Sequence, residues 1–165
     1  METILNYLSQ GERPMELLKL VVTAAIAYFT VTWSLKKFLR EKKWEKKSEA
    51  YSRIIEALHH LKRIDALYVD EELERKTISE EERKEILTKY TQAKEELEKY
   101  IDMGRYYISD EAIVSLEKLQ KTREECYDDW NHGGCMPLDI YETELKAADD
   151  CLKEIRSIAI KEIHK

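Results

Sequence analysis

Four residues carry donor atoms suited to a soft metal: Cys126, His132, Cys135 and Cys151. Zinc takes thiolate sulfur and imidazole nitrogen in a tetrahedron. The spacing is C-x5-H-x2-C, with Cys151 on a later helix, and the chain has no C-x-x-C pair. The plainer reading is a loop His, a loop Cys and two small thiols facing a core. No metal or cofactor is expected on this basis. A second candidate is ionic. Asp65 and Arg123 each interrupt an apolar helical stripe. They would form a buried ion pair or sit at the stripe's edge. The edge is the expectation, because the two helices run in the same direction and need not meet.

Arg53 and His59 stand as R-x5-H, and Arg53 with His60 gives a looser form. This spacing resembles the HEPN ribonuclease motif, in which an Arg and a His on one helix meet a symmetry mate and cleave RNA. The resemblance rests on these residues alone. The alternative is a solvated helix face, with His60 one turn from Glu56. Residues 48–165 carry a net −10, which repels phosphate and disfavours nucleic acid as a partner. A Gly-rich phosphate loop, a nucleophile elbow and an HExxH pattern are all missing from the sequence.

The elements that would position these groups are helices. Only 4 Gly and 2 Pro occur in 165 residues, and 38% of the chain is charged. Glu, Lys, Leu and Ile dominate, a balance that favours long helices over strands. The three cysteines make no dense disulfide framework, which fits a reducing compartment.

Charge is distributed unevenly. Residues 36–47 carry seven positive and two negative side chains, against a net −1 in residues 1–35. Immediately before this collar lies LLKLVVTAAIAYFTVTWSL, the 19 residues from Leu17 to Leu35, with Lys19 its one charge. As a helix it is roughly 28 Å long, close to the hydrocarbon thickness of a bilayer. Lys19 would snorkel at one end, and Trp33 would sit at the other interface. The collar of Lys36, Lys37, Arg40, Lys42, Lys43, Lys46 and Lys47, with Trp44 among them, sets the orientation: N-terminus outside, C-terminus in the cytoplasm. It would also attract anionic lipid. A signal peptide would place its positive charge before the apolar stretch, not after it. A buried soluble helix would need partners on every face. Thr23, Ala27, Thr30 and Ser34 place small residues on one face of the span, which permits close approach of a second copy.

The rest of the chain divides by helix punctuation. Residues 1–13 form a short extracytoplasmic N-terminus, 14–35 the span, 36–47 the collar and 48–165 a cytoplasmic bundle. Pro14 suits a first helical turn. Apolar residues recur at three- and four-residue steps from Tyr51 to Tyr68. Ser79 and Glu82 form a capping box. A second stripe runs from Ile86 to Ile101, with Gly104 as its stop. Ser109 caps a third helix, Ile108 and Ile113 are spaced as a hydrophobic staple, and its stripe runs Ala112, Leu116, Leu119, Cys126, Trp130. The loop NHGGCMP, 131–137, precedes a last stripe from Tyr141 to Ala159. Four such segments joined by short turns predict an all-α fold: the membrane helix continuing into an antiparallel up-down four-helix bundle. In that topology GRYYIS at 104–109 and the C-terminal IKEIHK lie at the membrane end. Arg105, Tyr106 and Tyr107 would touch headgroups there, or the tyrosines would plug the end of the bundle, the simpler expectation.

Two short motifs carry a wider likeness: W-x-x-K-x-x-A-Y at Trp44, Lys47, Ala50 and Tyr51, and Y-I-S-x-E-A at Tyr107, Ile108, Ser109, Glu111 and Ala112. With the span and collar they resemble an uncharacterised group of short prokaryotic single-pass membrane proteins with a cytoplasmic helical bundle. The resemblance implies architecture and no activity. The functional expectation is a membrane-anchored, self-associating scaffold, adaptor or accessory subunit without catalysis. The alternatives are a sensor or effector whose bundle controls span packing, and a HEPN-like or metal-dependent enzyme.

Overall fold

A computed structural model describes residues 12–163. Among these the chain forms four α-helices and no strand. They are α1 (Glu12–Glu72), α2 (Glu80–Met103), α3 (Asp110–Asn131) and α4 (Pro137–Ile163), with a 3-10 turn at Gly104–Tyr106. The expected residues 1–13 fall almost wholly outside the described part. The chain divides into two compact units between Lys43 and Trp44.

The first unit is helical, and its side chains are solvent-facing. Leu20, Tyr28, Phe29, Val31 and Trp33 are each at least 65% exposed. The threonines of this helix bond back to its own carbonyls. Thr23 Oγ1 donates to Lys19 O at 2.8 Å, Thr30 Oγ1 to Ile26 O at 2.8 Å, and Thr32 Oγ1 to Tyr28 O at 2.9 Å. Such back-bonding gives each of these hydroxyls a partner within its own helix.

The second unit buries a core from all four helices. Tyr51, Ile54 and Leu58 of α1 meet Leu97 of α2, Leu116 of α3 and Leu152 and Ile155 of α4. A smaller cluster joins Ile64, Ile78 and Ile86. Each fully buried Leu or Ile contributes about 1.5–3 kcal/mol relative to exposure. The helix starts follow the sequence. Ser79 Oγ accepts from Glu82 N at 3.2 Å, while Ser79 N donates to Glu82 Oε2 at 3.0 Å. Ser109 caps α3 through Ala112 N. Ile108 and Ile113 are both buried, as the staple requires.

Cross-helix pairs give the register. Between α1 and α4, Lys47 meets Glu162, His59 meets Arg156 and Lys62 meets Asp149, so partner numbers fall as α1 numbers rise. Between α1 and α3, Tyr51 meets Ser109 and Asp65 meets Arg123, and both links span 58 residues. Ser115 and Arg123 of α3 meet Glu154 and Glu144 of α4.

Gly104 ends α2, at φ −64° and ψ −27°. A Cβ there would lie 3.0 Å from Ile108 Cδ1 and Cγ1. Two expectations need correction. Trp130 is 49% exposed, outside the core. It occupies the last turn of α3, while the buried face of α4 begins only at Ile140. Tyr106 is 88% exposed and plugs nothing, whereas Tyr107 packs against the core. The side chain of Arg105 lies outside the described residues.

Candidate functional site

The polar centre of the bundle is built around Arg123. Its Nη2 donates to Asp65 Oδ2, and its Nη1 lies 3.8 Å from Glu144 Oε1. Nη1 also donates to Tyr90 Oη at 3.2 Å, with the guanidinium carbon 5.6 Å from the Tyr90 ring centroid. One residue from each helix therefore converges on a buried group. Asp65 is 1% exposed. The expectation that Asp65 and Arg123 sit at stripe edges without meeting is overturned. A parallel register puts the two charges level, and neither can be buried unpaired.

Two carboxylates share one guanidinium here. Burial pushes the Asp65 carboxyl up to about 7, against the pull of Arg123 and with the repulsion of Glu144. Burial also raises Glu144, again opposed by Arg123. Burial works against the charge on Arg123, but Asp65, Glu144 and Tyr90 together hold it up. The raised Asp65 value puts a proton uptake of the cluster near neutrality. A slip of either helix would separate these partners and leave a charge unpaired in the core.

The metal candidates do not converge. Cys126 and Cys151 are buried and Cys135 is exposed. Burial raises the Cys126 thiol and pushes Cys151 up to about 11, where Ser115 Oγ lies 3.5 Å away. Metal ligation needs the thiolate, which burial disfavours. His132 Nδ1 is 2.7 Å from Asp128 O at the end of α3. Among the described residues, no group of three or more His, Cys, Asp or Glu side chains is placed to hold a metal ion.

Arg53 and His59 face different neighbours. Arg53 Nη2 pairs with Glu49 Oε1 at 3.0 Å, and its Nη1 lies 3.8 Å from Glu96 of α2. His59 Nε2 meets Arg156 of α4. The two are not brought together within the chain, and His60 is exposed. Arg53 instead lines an open cleft between α1 and α2 of about 290 Å3, with Lys46, Lys99, Tyr100, Met103 and Tyr107. Sequence reading missed this cleft, since its cations stand on two helices with no shared motif.

The collar splits between the two units. Lys19, Trp33, Lys36, Lys37, Arg40, Lys42 and Lys43 belong to the first, together with Thr23, Ala27, Thr30 and Ser34. Trp44, Lys46 and Lys47 belong to the second, where Trp44 Nε1 donates to Ile163 O at 3.1 Å and Lys47 pairs with Glu162. Tyr51 Oη accepts from Ser109 N at 3.2 Å. The two quoted motifs therefore meet each other and the end of α4. No family model, curated protein or solved structure matches the chain.

Proposed function

We propose that the chain is a single-pass membrane protein, N-terminus outside, whose antiparallel up-down bundle in the cytoplasm serves as a non-catalytic scaffold, adaptor or accessory subunit. One observation carries the anchor. The stretch near the N-terminus that is apolar enough to cross a membrane has a mean hydropathy of 1.5, and none of it is buried. An apolar face left open in water costs about 25 cal/mol per Å2, and lipid removes that cost. The net +5 of residues 36–47 supports the orientation.

The alternating direction of the cross-helix pairs supports the up-down arrangement. Trp44 and Lys47 meet Ile163 and Glu162, and Tyr51 meets Ser109, so the ends expected near the bilayer share one end of the bundle. A closed, register-fixed bundle suits an interaction role better than turnover. The small face of Thr23, Ala27, Thr30 and Ser34, with Thr23 and Thr30 back-bonded, suits packing against a second span. Alkaline extraction tests the anchor. The chain is expected in the membrane pellet, and recovery in the supernatant would contradict the reading. The sensor alternative gains from the cation-lined cleft, which gives a ligand a place to bind.

A further inference from the structure

The cleft between α1 and α2 has a composition that a structural groove does not need. Lys46 enters it from α1 and Lys99 from α2. Among the described residues neither ammonium lies within ion-pair distance of a carboxylate. Lys99 Nζ instead stands 5.7 Å from the Tyr100 ring centroid. Arg53 is the third cation, held by Glu49, the one carboxylate lining the cleft. Behind it the buried Glu96 Oε1, which has no hydrogen-bond partner, lies 3.8 Å from Arg53 Nη1 and adds a second carboxylate beside that cation. Tyr100 and Tyr107 add phenol groups, which can donate to an oxyanion. The lining also has an open apolar member, Met103, which is 51% exposed.

Three cations against Glu49 and Glu96 leave the cup a net +1, carried by the two unpaired ammonium groups. A phosphate has the oxygens to satisfy both ammonium groups and the phenols, and to share the guanidinium with Glu49. We infer that this cleft binds one phosphate-bearing anion, and that the anion is the headgroup of an anionic phospholipid. Met103 decides between the two sources of that chemistry. Free phosphate has no use for its exposed side chain, whereas a phospholipid brings a glycerol and acyl chain to cover it. The lipid source rests on the membrane reading above; the anion site does not. Bound there, the lipid would join α1 to α2 and the turn at Gly104–Tyr106.

The test is titration calorimetry on the full chain in neutral detergent. The probes are short-chain phosphatidylglycerol and, separately, inorganic phosphate. The expected result is one phosphatidylglycerol per chain. The double variant Lys46→Gln/Lys99→Gln should weaken it at least about tenfold, as loss of charge-assisted bonds does. Lys94→Gln/Lys121→Gln removes the same charge from exposed sites outside the cleft and should change nothing. Equal weakening by both double variants would mean general attraction and overturn the site. So would binding that neither variant affects, or no binding at all. Inorganic phosphate binding as tightly, with the same dependence on Lys46 and Lys99, would keep the anion site and overturn the lipid as its source. A chain that stays soluble without detergent yet binds phosphate through Lys46 and Lys99 would sink the membrane reading and the lipid source, leaving the anion site.

Discussion

Arg123 is the residue on which the bundle's specificity turns. Replacing it by Leu leaves Asp65 and Glu144 in the core without a counter-charge, at a cost of about 3–5 kcal/mol. Replacing Asp65 and Arg123 together by Leu removes the charge that needs compensation. The double variant is expected to be within about 1–2 kcal/mol of the parent, and so more stable than Arg123→Leu alone. Urea denaturation of the three proteins measures this. Titration gives a second expectation. Asp65 and Glu144 both have raised folded-state pKa values, so the folded bundle binds a proton that the unfolded chain has already released. Stability therefore rises as pH falls from about 8 through 7 toward the ordinary carboxylate range, and is lost again as pH climbs. Lys62 and Lys153 hold Asp149 down to about 2, so its opposite contribution falls well below this window. Melting curves at pH 8 and pH 6 should show a higher Tm at pH 6, with the difference reduced in Asp65→Asn. An unchanged difference in that variant would remove the cluster as its cause.

At the scale of the elements, helix starts were legible because capping is local chemistry. Ser79 with Glu82, and Ser109 with Ala112, satisfy donors within four residues of chain. Ser79→Ala is expected to cost about 1 kcal/mol by leaving Glu82 N unpaired at the start of α2, which chemical denaturation would register. The apolar stripes of α2 and α4 were legible for the same reason, as periodicity is a property of one helix. Contacts between helices were not. Asp65 and Arg123 meet because α1 and α3 run level at a constant offset of 58 residues, which Tyr51 and Ser109 already set 14 residues earlier. That offset depends on the lengths of two turns and of α2, which single-helix patterns do not specify. Trp130 was misplaced for a related reason. Its spacing continues the stripe, but the stripe outlasts the partner helix. The cleft was invisible because Lys46, Arg53 and Lys99 become neighbours only when α1 packs on α2.

The molecule as a whole joins an apolar helix with open side chains, a basic collar and an acidic bundle with a buried polar centre. The proposed anchor and its orientation come first, since the bundle's partners, the lipid in the cleft and any pairing of spans all depend on them. Cysteine chemistry can test it directly. Cys126 and Cys151 are buried and Cys135 is exposed in the loop between α3 and α4, so a thiol reagent applied to the folded chain reports on Cys135. The decisive measurement is labelling by a membrane-impermeant maleimide in intact cells and in inverted membrane vesicles, with Cys135→Ser as the blank. The account predicts labelling in inverted vesicles alone, lost in Cys135→Ser. Labelling of Cys135 in intact cells would place the bundle outside and contradict it.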